Sequence, residues 1–416
     1  MFHEALAFYY PPTKKNSSAF PTNYLFTATA GQTMSSSSSS SEDMSEYFES
    51  DSDDTSSEDS ELSEGHFEGE EGTVVRGYKL SEMLGHGSYG VVWSAVKASD
   101  DTSVALKIGR LEDVSDRETR MLTLVGSHEN VIRLFDHFIW DARVVMVVDK
   151  MDMDLFTLQR DYDDFDGKDI CRQMCRGLQH LHAAGVVHGD LKPENIMVRD
   201  KGRGRWLVKL ADFGAACTID GDICDYGQTV AYRSPEMIVG DTTAMRPPAD
   251  VWSCACIVFE VFCNNVLFDP SASNHYSARS TASHESSLRS NHEQLALMSE
   301  ILGKFPKRFA KKHREYFNNK GFLKNLGEIK KIDMRVVMIA ECDLTPQMAS
   351  DLYEFLKGML MYTPRLRSSA EACLQHPFLT AKATVPPNSV AETATKGVED
   401  EPDRHGERGP ASTEHK

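Results

Sequence analysis

The sequence predicts an α+β fold of two lobes, a small antiparallel sheet with one main helix followed by a larger helical lobe. Three observations predict it. Residues 91–93, 104–108 and 144–148 are short β-branched runs separated by polar turns, which read as strands of one sheet. Ile170, Met174, Leu178 and Leu181 then share one helical face, with Gly185 placed as a C-cap. From there to about Leu379 the pattern is mostly helical, and strands first with helices later divides the chain into two lobes.

The boundaries follow from composition. Residues 1–72 read as a disordered tail, because an unbroken serine run (Ser35 to Ser41) leads into an acidic, serine-dotted block that buries too little apolar surface to offset its ordering entropy. Ser50, Ser52, Ser56 and Ser57 lie among those acids, which fits either a solubilising tail or an arm for phosphorylation or a basic partner. Residues 73–150 form the sheet lobe and 151–380 the helical lobe. Residues 271–289 are a serine- and histidine-rich exposed loop inserted in the second lobe, and 381–416 form a second polar, unstructured tail.

Charge and cysteine content exclude several classes. The net charge is −18, but Glu42 to Glu71 alone holds 14 acids and no Lys or Arg, so the remainder carries only −4. A near-neutral core without clustered basic charge argues against nucleic-acid binding, and Lys311-Lys312-His313-Arg314 reads as a folded helix face rather than a nuclear signal. Nothing approaches the roughly 18 uncharged apolar residues of a membrane span. Pro11, Pro12, Lys14 and Lys15 interrupt the aromatic N-terminus before a signal-peptide core can form. The nine cysteines make no CxxC pair and read as reduced, buried thiols of an intracellular protein, cytoplasmic or nuclear.

The chemistry is carried by five motifs in order. Leu84 is followed by Gly85-His86-Gly87-Ser88-Tyr89-Gly90-Val91-Val92, a glycine loop whose missing Cβ atoms let the backbone approach nucleotide phosphates. On its own it is a weak signal. Val104-Ala105-Leu106-Lys107 follows, a strand whose lysine can pair the α- and β-phosphates. That lysine needs a carboxylate from the next helix; Glu118 is the choice, with Glu112 and Asp113 as competitors. His188-Gly189-Asp190-Leu191-Lys192-Pro193-Glu194-Asn195 is the most specific signal. It resembles the catalytic loop of the protein kinases, which implies that Asp190 would orient or accept the proton of a substrate hydroxyl, Lys192 would neutralise the transferring phosphoryl group, and Asn195 would bind Mg²⁺. Asp212-Phe213-Gly214 follows an apolar strand, with Asp212 a second metal ligand, and Ser234-Pro235-Glu236 closes the segment.

These five motifs resemble the eukaryotic protein kinases, which implies ATP and Mg²⁺ as cofactors and protein substrates as partners. Lys192 and Thr229, the latter placed to bond Asp190 and Lys192, are similar to the serine/threonine-specific members. The helical half resembles the CMGC group and most of all the SR-protein kinases, through Tyr232-Arg233-Ser234, Pro248-Ala249-Asp250-Val251-Trp252-Ser253, Leu267-Phe268-Asp269-Pro270 and the run from Ala370 to Leu379. The resemblance implies that Asp250 anchors the catalytic-loop backbone, that Arg367 pairs with Glu236, and that Glu293 and Glu300 belong to an acidic groove for arginine- and serine-rich substrates. It implies a monomer without nucleic-acid or membrane partners. Departures are equally specific. Residues 197–207 make a short hairpin where relatives carry a long insert, Asn264 and Asn265 replace an acidic site, and Val230 stands where relatives carry arginine. Gly189 replaces the arginine that couples to a phosphorylated activation loop, which implies activity without such phosphorylation. The alternative reading is a kinase-fold scaffold with little or no catalysis, against which the intact Lys107, Asp190, Asn195 and Asp212 argue.

Overall fold

Alternation along the first apolar runs builds one six-stranded antiparallel sheet. Its strands are β1 (Val74–Val75), β2 (Tyr78–Gly87), β3 (Gly90–Lys97), β4 (Ser103–Arg110), β5 (Leu134–Trp140) and β6 (Arg143–Asp149), in the order β1-β2-β3-β4-β6-β5. The computed structural model describes residues 69–87, 90–110, 116–221, 228–241, 246–269, 283–324, 326 and 329–381. The tail expectations, residues 1–68 and 382–416, lie outside these, as do Ser88, Tyr89, Glu112 and Asp113.

Side chains point alternately to the two faces of a strand, and directly paired residues share a face. Leu106, Ile108, Val145 and Val147 therefore join Leu80, Trp93 and Phe138 in one apolar layer. Lys107 pairs with Val92 on one side and Met146 on the other, so it faces the opposite way. Helix α1 (Asp116–Val125) covers that opposite face: Thr119 Oγ1 lies 3.3 Å from Met146 Sδ, and Leu122 and Val125 pack into the cluster that contains Met146. The alternation of β4 thus aims the lysine at the helix rather than into the apolar layer.

The second lobe is built around two helices. Helix α3 (Gly167–Ala183) is capped by Asp166, whose carboxylate accepts from the amides of Lys168 and Asp169, and it buries Ile170, Met174, Leu178 and Leu181 on one face. Gly185, just past its end, has φ 74°. Helix α5 (Pro247–Cys263) is buried nearly all round, as its run of apolar residues dictates. It ends at Asn264 in the left-handed conformation, φ 49°, a conformation asparagine tolerates better than most residues. The second lobe also holds β7 (Met153–Asp154), which pairs with β9 (Ile196–Asp200), α2 (Leu155–Asp161), and the hairpin of β9 with β10 (Trp206–Leu210). The short strands β8 (Val186–Val187) and β11 (Cys217–Thr218) pair with each other. The remaining helices are α4 (Pro235–Ile238), α6 (Ser283–Leu302), α7 (Lys307–Lys312), α8 (Met334–Ala340), α9 (Pro346–Met359), α10 (Ala370–Leu374) and α11 (Pro377–Thr380).

Two expectations are corrected. Residues 283–289, read as part of an exposed loop, open helix α6. Of the cysteines, seven are free thiols, but Cys217 is disulfide-bonded, so the expectation of reduced thiols throughout fails at that position. No helix among the described residues is long and apolar enough to cross a membrane.

Candidate active site

The site forms where β4, α1 and the loops after β8 and β10 meet. The Lys107 ammonium lies 2.7 Å from Glu118 Oε2 and 3.7 Å from Asp212 Oδ1. Glu118 is only 6 % exposed, so its carboxylate is held by the lysine rather than by water. Burial alone would lower the Lys107 pKa, but the charges of Glu118 and Asp212 outweigh it and hold the ammonium above its ordinary value. Burial likewise acts to raise Asp212; the Lys107 charge, with His188 and the Gly214 amide, wins and keeps the carboxyl below its ordinary range. Both groups are therefore charged at neutral pH.

The glycine loop is the turn between β2 and β3, where Gly87 pairs with Gly90. Gly90 has φ 128°, and a Cβ there would sit 2.1 Å from the Ile108 carbonyl oxygen, so only glycine lets β3 lie this close to β4. Around Gly85 no heavy atom lies within 4 Å of a would-be Cβ, which leaves the loop open above its own backbone. Leu84 and His86 are exposed, and Val91 and Val92 are half-buried.

The catalytic-loop candidate is held from below by Asp250 of α5. Its fully buried carboxylate accepts the amides of His188 (2.9 Å) and Gly189 (3.0 Å) and bonds His182 Nε2 (2.9 Å). Gly189 adopts φ 82°, a conformation that penalises a side chain. His188 bonds the Ala211 carbonyl (2.9 Å) and packs against the buried ring of Phe213 at 5.0 Å, tying the loop to the Asp212 segment. Asp190 Oδ1 accepts both the amide (2.9 Å) and the hydroxyl (3.0 Å) of Thr229, while its Oδ2 faces Lys192 Nζ at 3.6 Å. One oxygen is thus saturated by the chain and the other is turned toward a cation. Asn195 donates Nδ2 to the Asp190 carbonyl (2.8 Å), which leaves its amide oxygen for another partner. Asp212 has φ 60°, and its Oδ1 accepts a long bond from Gly214 N, 3.4 Å, beside the Lys107 ammonium at 3.7 Å.

Asn195 and Asp212 supply an amide oxygen and a carboxylate, the hard oxygen donors a magnesium ion takes together with water and substrate phosphates. The donor set therefore fits a divalent ion. Further out, Arg367 makes a bidentate pair with Glu236 (2.7 and 2.9 Å), both buried, and also donates to the Pro248 and Met361 carbonyls. That pair fixes the end of the segment carrying Thr229.

Two features depart from the sequence reading. Glu300, assigned to a substrate groove, is 4 % exposed and faces the interior, while Glu293 is half-buried. A different pair of acids lies near the catalytic loop. Glu260 of α5 is 7 % exposed and accepts the Tyr232 hydroxyl at 2.7 Å. Burial pushes its carboxyl up to about 7; the Tyr232 bond opposes this and the nearby charge of Glu194 adds to it. Burial, Glu260 and then Glu194 raise the Tyr232 phenol as well. Glu194 Oε2 is itself buried without a hydrogen-bond partner among the described residues. Sequence reasoning passed over both acids, although a single glutamate in the apolar run of α5 was the available signal.

A family model described as "Protein kinase domain" matches residues 78–379. The chain is 28 % identical over 390 residues to "Serine/threonine-protein kinase SRPK" of Physarum polycephalum, covering 74 % of this chain and 87 % of that one. It is 27 % identical over 327 residues to "Extracellular signal-regulated kinase 2" of Dictyostelium discoideum, covering 74 % and 80 %. It is also 28 % identical over 369 residues to "Dual specificity protein kinase YAK1 homolog" of Arabidopsis thaliana, covering 76 % of this chain but 37 % of that longer protein.

Proposed function

This chain belongs to the protein kinase family, within its CMGC group, and from that premise we propose how its own residues perform the transfer and which substrates they select. It is a protein serine/threonine phosphotransferase that uses ATP and a divalent metal. The observation that carries the assignment of roles is the division of Asp190, one oxygen saturated by Thr229 and the other facing Lys192.

Phosphoryl transfer passes through a loose transition state, so positioning and charge neutralisation do most of the work. The glycine loop from Leu84 to Val92 covers the nucleotide. Lys107, held rigidly by Glu118, binds the α- and β-phosphates. Asn195 and Asp212 would hold Mg²⁺, which when bound offsets the negative charge of the β- and γ-phosphates. Asp190 Oδ2 receives the substrate hydroxyl and orients it toward the γ-phosphorus. As the new O–P bond forms and the bond to the β-phosphate bridge breaks, the hydroxyl proton passes toward Asp190 and ADP leaves. Lys192 sits where it offsets charge on the moving phosphoryl group.

The finer reading is a preference for serines in arginine-rich contexts. Glu194 and Glu260 support it: Glu194 lies close enough to raise the proton affinity of Glu260, and one of its own carboxylate oxygens is buried with no partner among the described residues, so the two acids suit a planar cation able to donate to both. Glu300 no longer supports it, being interior. Seven free thiols support an intracellular compartment, against which the disulfide at Cys217 counts, and the chain acts as a monomer on protein substrates.

The test is Mg²⁺-ATP kinase assays on an arginine-scanning serine peptide library. Asp190→Asn loses about 10²–10⁴-fold in kcat with nucleotide binding retained; retained activity removes the role of Asp190. Glu194→Gln raises KM for arginine-containing peptides with kcat little changed. Equal turnover of peptides with and without arginine removes the substrate reading and leaves the kinase assignment standing.

A further inference from the structure

The near-neutral average of the folded chain conceals a cluster. Between Lys304 and Arg335 there are eleven Lys and Arg residues, and every one is exposed. The only acids described in that stretch are Glu315 and Asp333. The absence of clustered basic charge inferred from net charge is thereby corrected: one exposed stretch of the chain is dense in basic charge, which is cancelled only in the sum.

Helix α7 shows how the surface is made. Phe309 stacks on Phe305 at 5.2 Å and Ala310 is 2 % exposed, so the apolar side of α7 locks into the aromatic cluster of the lobe. Lys307, Arg308, Lys311 and Lys312 are consequently turned outward together. At spacings of i and i+4 these like charges repel, a cost the apolar contacts must offset. Lys312 has a partner in Asp241 at 2.5 Å, and Arg335 has one in Asp333 at 2.6 Å. Lys307, Arg308, Lys311, Lys320 and Lys324 have no ion pair among the described residues. None of these groups enters the transfer chemistry.

The complement lies on the same chain. Glu42 to Glu71 supplies fourteen carboxylates and no Lys or Arg, and it joins the fold at Gly69, which lies against Trp93. The twenty-seven residues from 42 to 68 can span at most ~95 Å. A fold of this size has a radius of gyration of ~19 Å, so the segment is long enough to reach the other lobe. Tethering also gives it an effective concentration in the millimolar range, about what free polyanions would have to match. We propose that the acidic segment Glu42–Glu71 docks on the basic surface of α7 and the loop through Lys324, as an intramolecular polyelectrolyte contact. Phosphates on Ser50, Ser52, Ser56 or Ser57 would each add about 1.5–2 negative charges and tighten it.

The test is zero-length carbodiimide crosslinking of the full chain, which joins carboxylates to lysine amines in contact, followed by peptide mapping of the monomer fraction. The expected result is crosslinks from the 42–71 acids to Lys307, Lys311, Lys320 or Lys324. They should be lost in the triple variant Lys307→Glu, Lys311→Glu, Lys320→Glu, and lost in about 1 M salt, where the screening length falls to ~3 Å. No such crosslinks, crosslinks confined to dimers, or crosslinks indifferent to charge reversal would each overturn the proposal. Heparin chromatography gives a second readout. Neutralising the arm acids to Asn and Gln should delay elution of the full chain, and the delay should shrink when the three lysines are reversed. An undiminished delay means that heparin is held by groups other than these lysines, so they are not what the arm covers, and the intramolecular contact is wrong.

Discussion

Glu260 carries the most discriminating pH prediction. Its carboxyl rises from an ordinary 4.5 to about 7 because the helix carrying it is buried on all sides, with Glu194 adding repulsion. A carboxyl raised on folding favours the folded state while protonated. That contribution is complete below 4.5 and is lost as pH climbs through 7. Each tenfold change in proton affinity is worth about 1.4 kcal/mol, so the whole rise is worth about 3 kcal/mol, and the part falling between pH 5.5 and 8.5 is about 2 kcal/mol. Glu260→Gln keeps an acceptor for the Tyr232 hydroxyl and removes the titration. Relative to the variant, the wild-type protein should therefore lose about 2 kcal/mol from pH 5.5 to 8.5, read as a melting-temperature gap that widens by about 4 °C for a domain of this size. An arginine-containing peptide added at pH 8.5 should narrow the gap, because a guanidinium compensates the anion. Tyr232→Phe should steepen the wild-type pH dependence by removing the tyrosine hydrogen bond given to that anion. Parallel melting curves for wild type and Glu260→Gln across the window would refute the reasoning, since they would mean that Glu260 titrates alike folded and unfolded.

Three further outcomes follow from the geometry. Arg367→Ala strands the buried Glu236 carboxylate and should cost about 3–5 kcal/mol, a melting-temperature drop of roughly 6–10 °C; a drop within error would show that water repairs the site. Glu118→Gln frees the Lys107 ammonium from its 2.7 Å partner and should lower kcat/KM for ATP on the order of 100-fold through misplacement while melting stays near wild type, and unchanged kinetics would remove Glu118 from the positioning of the lysine. Phosphatase treatment should leave most activity, because Gly189 offers no guanidinium to a phosphorylated segment; a large loss would place a required phosphate elsewhere in the chain.

What could be read from the sequence divides along a physical line. Lys107, Asp190, Asn195 and Asp212 stand in short runs, set by strands and tight turns, that resemble the protein kinase motifs in order and spacing, so the resemblance was enough to propose them. Glu118 was harder, because Glu112 and Asp113 also follow the lysine strand. The choice depends on helix α1 covering the Met146 face of the sheet, the same face to which the alternation of β4 turns Lys107. Glu300 was misread because α6 is covered on more than one side, and a helix covered in that way has no polar stripe to separate a groove carboxylate from an interior one. Glu260 escaped notice for the same reason. A helix buried all round offers no amphipathic contrast, so its one glutamate has to be recognised as an anomaly in an apolar run rather than as part of a pattern. The basic surface was lost in a different way, by summing: a net charge adds acids and bases that the fold separates. Glu194 with Glu260, and α7 with the acidic segment, are thus alike in kind. Each joins groups distant in sequence, and in each the energetic consequence, a carboxyl raised to about 7 or five cations without ion pairs among the described residues, exists only once the chain is folded. Such consequences are where specificity and regulation can differ between chains that share the same four transfer residues.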